Sequence, residues 1–231
     1  MPSPRLALLF ALLPMLMNTA DARKKGFIYE ESEVPAYTLP DPLAADDGSA
    51  VTTASQWKES RRAEILNHFE QSVYGRRPGK PEALEFTVTS EDENALGGLA
   101  RRKQLSVLFE GGGRPFAVHV LLYIPNSANG PAPVFIGYNF NGNHSIHADP
   151  GIDLSKSWMR KNDNGNANHR ATESARGAGS SRWPVETILK RGYAVATAYY
   201  GDVEPDHANG WKDGIRSYYE TDAQGHALKR E

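Results

Sequence analysis

Asparagine, glycine and histidine follow one apolar segment of the chain directly, in the stretch FIGYNFNGNHS from Phe135 to Ser145. Asn and Gly tolerate the positive φ angles that turn backbone N–H groups toward a common point. N–H groups held in this way stabilise the negative charge that develops on a carbonyl oxygen during acyl transfer. The stretch is typical either of a surface turn or of an oxyanion-binding loop, in which Asn139, Phe140 and Asn141 are the best-placed donors.

Two arginines and a histidine are further candidate substrate contacts. Arg176 and Arg182 flank the small-residue segment GAGSS, which can fold back toward the Asn139 loop. A guanidinium binds a substrate carboxylate or structural carbonyl groups equally well, so the sequence leaves both roles open. His144 belongs to the Asn139 loop itself.

One histidine spacing resembles a metal site. His144, His147 and Asp149 follow one another closely, but no further ligand on a regular element accompanies them. Hydrogen-bonding or loop-fixing roles are commoner for such histidines. We therefore predict no metal at this position.

A second spacing resembles a calcium loop. Asn162, Asn164, Asn166 and Glu173 have the 1, 3, 5 and 12 spacing of such loops, but Ala167 stands where the sharp turn needs glycine, and the first position is neutral. We interpret the segment as a solvated insertion loop. We predict neither a metal nor a cofactor for this chain.

The chain has no serine in the sequence motif that carries the nucleophile of many ester-cleaving enzymes. The Gly-x-Ser-x-Gly elbow of α/β-hydrolases joins a strand to a helix, and the chain contains no such motif. Ser181 precedes a helix but has no apolar strand before it. Asp202 and Asp206 follow a strand, as a catalytic acid would, although a turn-capping role is favoured for them.

Two apolar strands must position these loops. APVFIGY is a short continuous apolar run, typical of a strand covered on both faces. SRWPVETILKRGYAVATAYYGD predicts a helix with Pro184 near its first position and Gly192 just past its end, followed by a buried strand. Trp183 is expected to pack the helix start. A strand, helix and strand imply parallel pairing, which brings the loops after both strands to one edge of the sheet, where ligands bind.

The preceding part of the chain predicts one helix and three antiparallel strands. SQWKESRRAEILNHFEQSVYG has a helical apolar face, with Ser55 as N-cap and Gly75 in the left-handed conformation after its end. LEFTVTS, RRKQLSVLFE and FAVHVLLYIP read as a meander. An antiparallel start followed by a parallel βαβ unit indicates an α/β fold with the sheet of an α/β-hydrolase.

Composition excludes one class of function. The 231 residues are 39% hydrophobic and 23% charged, which is normal for a folded globular chain. A formal net charge of −2 gives no basic surface for phosphate groups, so we expect no nucleic-acid partner. The chain has no cysteine, so its core alone must hold it together.

The beginning of the chain resembles a secretory signal. Arg5 precedes an apolar run from Leu6 to Met17, and the small residues at 20–22 suit cleavage near Ala22. The run is shorter than the roughly 20 residues that span a bilayer, so we expect no membrane attachment after cleavage. We predict a signal peptide over 1–22, an extended arm over 23–54 and the amino-terminal part of an α/β-hydrolase domain over 55–231, in a secreted or periplasmic protein.

Four segments carry a resemblance to a known family: VYGRRPG, GYNFNGNHS, ESARGAGSSRWPVETILKRGYAVATAYYGDVEPD and GWKDGIRSYY. From roughly Trp57 to its end, the chain resembles the amino-terminal half of the bacterial glucuronoyl esterases, carbohydrate esterase family 15. The resemblance implies an α/β-hydrolase fold, a Ser-His-acid triad without metal, and cleavage of esters between lignin alcohols and the 4-O-methyl-glucuronic acid branches of xylan. Glucuronoxylan is then the expected substrate.

The chain departs from the family in one respect. In the family the nucleophile lies in a Gly-x-Ser-Arg-x-Gly-Lys elbow, followed by the acid and the histidine, whereas this chain ends in SYYETDAQGHALKRE. We therefore expect the nucleophile, base and acid beyond residue 231, a sheet truncated before the nucleophile elbow, and no activity in this chain alone. An acetyl xylan esterase, another exported α/β-hydrolase and an inactive fragment stay open as alternatives.

Overall fold

The computed structural model describes residues 26–161 and 165–220. The predicted signal peptide lies outside the described residues, as do Asn162 and Asn164 of the calcium-like spacing. The described chain forms two compact units, divided between Arg76 and Arg77. Among the described helices, none combines the length and the hydropathy needed to cross a lipid bilayer.

The first unit contains an exposed arm and one long, irregular helix. A 3-10 turn at Glu31–Glu33 lies in the arm. The helix then consists of α1 (Ala54–Gln56), a π-helical segment (Trp57–Arg61), α2 (Arg62–Phe69) and a second π-helical segment (Glu70–Tyr74).

The ends of this helix test two sequence predictions. The prediction of Ser55 as N-cap is wrong: the side chain of Thr53 accepts the backbone N–H of Gln56, and the Gln56 side chain closes a capping box. Ser55 lies inside the helix instead and donates its hydroxyl hydrogen bond to Glu59. Gly75 follows the last turn with a φ of 76°, so the positive φ is confirmed, but its ψ of 168° is not that of the predicted left-handed conformation.

Buried Arg61 holds the arm against this helix. Its guanidinium donates to the carbonyl oxygen of Pro42 at 3.0 Å, to Asp46 at 2.7 Å and to Glu64 at 2.9 Å. The apolar side chains Leu66 and Phe69 are nearly half exposed at 45% and 46%, so this face of the helix is only partly covered.

The second unit is built on a five-stranded sheet with the strand order β1-β2-β3-β5-β4. The strands are β1 (Ala83–Asn94), β2 (Ala100–Glu110), β3 (Phe116–Pro125), β4 (Val134–Asn139) and β5 (Ala194–Tyr199). The predicted meander is confirmed, because β1, β2 and β3 pair antiparallel. The predicted parallel pair is confirmed as well: β4 runs alongside β5 from Val134 opposite Ala194 to Asn139 opposite Tyr199.

The two parallel strands differ in burial. All six residues of β5 are buried, because β5 lies between β3 and β4. The prediction that β4 is covered on both faces is wrong for the described chain: Phe135, Ile136 and Tyr138 are 55%, 80% and 60% exposed. The reason is missing cover on its faces, since the helix at Val185–Lys190 packs on β3 and β5. β4 is also an edge strand that pairs with β5 alone.

Helix α4 (Val185–Lys190) connects these two strands and covers the core. Pro184 occupies its N-cap rather than its first helical position, and Gly192 follows its end with a φ of 82°. Trp183 packs against the core cluster at the helix start, as predicted. Short elements complete the unit: α3 (Ala95–Gly98), whose helical geometry is broken by positive φ at Leu96 and Gly97, α5 (Tyr200–Val203) and α6 (Ile215–Glu220).

Candidate functional site

Side-chain amides hold the loop that follows β4. Asn139 is 2% exposed, and its Nδ2 donates to Asn143 Oδ1 at 2.7 Å and to Thr197 Oγ1 at 3.1 Å. Asn143 Nδ2 donates in turn to the backbone carbonyl oxygen of His119 at 2.9 Å. The loop is therefore tied to both β5 and β3. Phe140 is 71% exposed at the carboxyl end of β4.

The GAGSS segment folds back onto this loop, as predicted. The backbone N–H of Gly177 donates to the carbonyl oxygen of His144 at 3.0 Å, and that of Gly179 donates to the carbonyl oxygen of Ser145 at 2.8 Å. The Ser145 hydroxyl donates to the carbonyl oxygen of Gly142 at 2.7 Å. Most polar groups of 143–145 are thus satisfied within the protein, which makes the loop a preformed structure.

The two candidate arginines have different surroundings. The guanidinium of Arg176 donates to the carbonyl oxygens of Asp149 at 3.0 Å and Ile152 at 2.7 Å, and its remaining N–H groups pair with Glu173. Arg176 therefore supports the backbone of the loop. Arg182 is exposed at the end of a 3-10 turn, and it shares none of the contacts described for Arg176.

Asp149 is the centre of a buried polar network that was not predicted from the sequence. Its Oδ2 accepts from Arg102 and from the hydroxyl of Tyr123, both at 2.6 Å, and its Oδ1 accepts from the backbone N–H of Gly151 at 2.8 Å. Burial alone would raise the pKa of the Asp149 carboxyl, but these three donors together lower it below its ordinary value. The one feature of the sequence that points to this network is Arg102, a charged residue within a strand of the predicted meander.

His147, Asp149 and Glu173 of the two metal-like spacings are engaged in other contacts. His147 Nδ1 accepts from the backbone N–H of Asp149 at 3.0 Å, and Glu173 pairs with Arg176. In residues 26–161 and 165–220, no three His, Asp or Glu side chains converge as a metal site would require.

His144 lies beneath the loop and has no solvent-exposed surface. Neither ring nitrogen has a hydrogen-bond partner within the described protein. Burial, reinforced by the nearby positive charge of Arg176, lowers the pKa of His144 to about 4. The imidazole is therefore neutral at pH 7, and its ring fills space under the loop.

The two aspartates after β5 connect segments of chain rather than cap a turn, so the favoured turn-capping role is wrong. Asp202 is buried, and its carboxylate accepts from the hydroxyl of Ser157 at 2.6 Å and from the backbone N–H of His119 at 3.0 Å. Burial raises the pKa of the Asp202 carboxyl despite these two donors. Asp206 accepts from Arg160 and from the hydroxyl of Tyr200.

Gly142 permits the backbone turn on which the loop depends. Its φ is 88°, and a Cβ atom there would contact the side chains of His144 and Met159. We expect Gly142→Ala to lower the free energy of unfolding by about 2 kcal/mol, because it adds both backbone strain and overpacking. Urea unfolding measures the change. Gly130→Ala is the matched control, since that Cβ meets no atom; equal effects of the two substitutions would contradict the prediction.

The sheet and the position of the candidate loops define the class of protein. An antiparallel meander leads into a parallel pair, and the loops after β4 and β5 leave the same edge of an open sheet. This is the sheet of an α/β-hydrolase. Neither parallel strand of the described chain is followed by serine, since Phe140 follows β4 and Tyr200 follows β5, and Ser181 lies in a 3-10 turn.

Comparison with known proteins identifies the relatives of the chain. No family model matches it. It is 44% identical, over 86% of its length, to the carbohydrate esterase MZ0003 of an unknown prokaryotic organism. A promiscuous esterase of carbohydrate esterase family 15 from a marine bacterial metagenome superposes with a TM-score of 0.73, at 43% identity over 84% of the chain. The glucuronoyl esterase from Solibacter usitatus also has a TM-score of 0.73, at 44% identity over 80% of the chain.

The resemblance seen in the sequence is thereby confirmed: the chain is a homologue of the glucuronoyl esterases of carbohydrate esterase family 15. It spans less than half of the relatives that it matches, namely 46% of the curated carbohydrate esterase and 48% and 46% of the two solved structures.

Proposed function

We propose that this chain carries the oxyanion loop of an exported carbohydrate esterase that cleaves 4-O-methyl-glucuronoyl esters between xylan and lignin alcohols. The observation that carries the proposal is the parallel pairing of β4 with β5, which puts the loops after both strands at one edge of a hydrolase sheet. The names of the relatives support the substrate: one, from Schizophyllum commune, is a 4-O-methyl-glucuronoyl methylesterase, 35% identical over 105 residues.

The proposed reaction is ester hydrolysis through an acyl-enzyme. A serine hydroxyl attacks the ester carbonyl, a histidine takes its proton, and backbone N–H groups hold the oxyanion that forms. In this proposal Asn139, Phe140 and Asn141 supply the N–H groups, and the buried Asn139 and Asn143 side chains keep that backbone in place. No serine of the described residues lies on a strand-to-helix elbow, so this proposal assigns the serine, its base and its acid to none of them.

A chimera tests this function. The matching part of the Solibacter usitatus glucuronoyl esterase is replaced by this chain, which shares 44% of its residues there. We expect hydrolysis of a methyl glucuronate ester within about tenfold of the parent rate, because this chain should place the oxyanion donors where the parent does. A ~1 Å misplacement of these donors would instead lower the rate about 100-fold. The parent enzyme carrying the same junction residues is the control, and this chain alone is the blank.

Two results would overturn the assignment. A folded chimera that hydrolyses acetyl esters but not glucuronoyl esters would favour the acetyl xylan esterase alternative, because only a glucuronoyl esterase needs the carboxylate-bearing sugar. A folded chimera inactive on both esters would favour an inactive fragment. Circular dichroism and the unfolding midpoint establish folding in either case.

Export is part of the same proposal and is supported by the leader-like pattern from Arg5 to Ala22. We expect a bacterium that expresses the chain to release a product that begins at Arg23. Amino-terminal sequencing of the product checks this, and an uncleaved cytoplasmic chain would contradict it.

A further inference from the structure

The linker segment, residues 75–80, is an exposed and irregular stretch of chain. It connects the long helix of the first unit to β1 of the second unit. All of its residues are exposed, and none belongs to a helix or a strand. The preceding Tyr74 is 82% exposed, so the approach to the segment is open as well. Exposed, irregular connections are where proteases cut native proteins most readily.

Two adjacent arginines occupy the linker segment. The chain reads RRPGKP over 76–81, and it divides into its two compact units between Arg76 and Arg77. Within the described residues, neither guanidinium has a hydrogen-bond or ion-pair partner. The exposed Arg216, in contrast, is held by the Glu204 carboxylate at 2.6 Å. Trypsin-like proteases bind one arginine side chain in an acidic pocket, and an unpaired, exposed guanidinium is free to enter such a pocket.

Prolines leave one cleavable bond after a basic residue in this stretch. Arg77 precedes Pro78, and Lys80 precedes Pro81. Trypsin-like proteases cut poorly before proline, because its ring fixes φ and removes the backbone N–H. The bond after Arg76 is therefore the one that such a protease can hydrolyse.

Pro78 also favours the backbone form that a protease binds. A residue before proline is restricted to extended conformations, which applies to Arg77. Extended peptides bind to other proteins through their backbone, as an added strand. On the carboxyl side of the bond, the Tyr219 hydroxyl donates to the carbonyl oxygen of Gly79 at 3.0 Å. Release of this exposed hydrogen bond frees the residues that follow the bond.

We propose that the Arg76–Arg77 bond is a processing site for an arginine-specific serine protease, which separates the first unit from the unit that carries the candidate loops. Water adds across the peptide bond, so Arg76 gains a carboxylate and Arg77 gains the new amino terminus. The product that begins at Arg77 keeps the five-stranded sheet and the loop after β4. The site is independent of the esterase function, because exposure and the order of arginines and prolines define it.

Limited digestion of the full chain with trypsin, followed by intact-mass spectrometry, tests the site. We expect the cut after Arg76 to be at least about tenfold faster than any other cut within residues 26–220. Arg76→Gln is expected to slow this cut at least about 100-fold, because glutamine brings no positive charge to the acidic pocket. Lys80→Gln is the matched control: it removes one positive charge from the same segment, and the cut is expected to keep its rate.

Pro78→Ala tests the role of the proline. This substitution is expected to make the bond after Arg77 cleavable, so that a second product appears that begins one residue later. A first cut elsewhere, for example after Lys161, would overturn the proposal, and so would an unaltered rate in Arg76→Gln. Degradation of the 77–231 product as fast as it forms would also count against it, because processing requires the second unit to survive.

Discussion

Asp149→Ala is expected to lower the free energy of unfolding by about 3–5 kcal/mol, because it leaves the buried guanidinium of Arg102 without its closest partner. The Arg102 and Asp149 side chains are each 8% exposed and lie 2.6 Å apart. The hydroxyl of Tyr123 loses its acceptor through the same substitution. Urea unfolding followed by tryptophan fluorescence measures the change as a lower midpoint.

A surface ion pair provides the control for this prediction. The side chains of Arg114 and Asp213 are 60% and 52% exposed and form an ion pair with an N–O distance of 2.7 Å. Asp213→Ala is expected to lower the free energy of unfolding by less than about 1 kcal/mol. The double variant Arg102→Met with Asp149→Leu should recover much of the lost stability, because it removes the buried charge altogether. An Asp149→Ala cost as small as that of Asp213→Ala would show that the buried network does not hold the loop.

Acidification from pH 6.5 to 4 is expected to destabilise the protein through His144, by up to about 3 kcal/mol. The pKa of His144 falls from 6.5 in the unfolded chain to about 4 in the folded protein. Above pH 6.5 the histidine is neutral in both states and contributes no pH dependence. Between pH 6.5 and 4 only the unfolded state binds the proton, so stability is lost as the pH falls.

Comparison with His144→Leu isolates this effect in urea titrations at several pH values. Protonation of Asp202 stabilises the folded protein as the pH falls, because burial raises the pKa of its carboxyl. Protonation of Asp149 destabilises the folded protein, but only below the ordinary aspartate pKa, because the pKa of the Asp149 carboxyl is lowered. Both contributions remain in the variant. The slope of stability against pH should therefore flatten in His144→Leu and stay unchanged in the exposed-site control His207→Gln. An unaltered slope in His144→Leu would contradict the burial of a neutral imidazole.

Strands and helices were predictable because their signals are local. Alternation and apolar runs predicted all five strands, and the Pro184 and Gly192 signals framed α4 to within one residue. The error at Ser55 is also local: Thr53 offers an equivalent cap, and Gln56 completes the capping box that only Thr53 can form. Residue type alone did not distinguish Thr53 from Ser55, two cap candidates that lie two residues apart.

Burial was harder to predict, because it depends on neighbours that are distant in the chain. β4 and β5 are similar apolar runs, yet β4 is largely exposed and β5 fully buried, because α4 packs on β3 and β5. The loop after β4 was predicted from its asparagines and glycines. Its support was not, since Asp149 lies 47 residues from Arg102 and 26 from Tyr123.

The sequence by itself determined the α/β class, the two loops that end the parallel strands and the relationship to the glucuronoyl esterases, because periodicity, turn residues and motifs are written in consecutive positions. The tertiary structure decided that Arg176 binds loop carbonyl groups, that His144 is buried and neutral, and that Asp202 joins Ser157 to β3. These roles depend on desolvation and on hydrogen bonds between distant segments, which exist only once the sheet has brought those segments together.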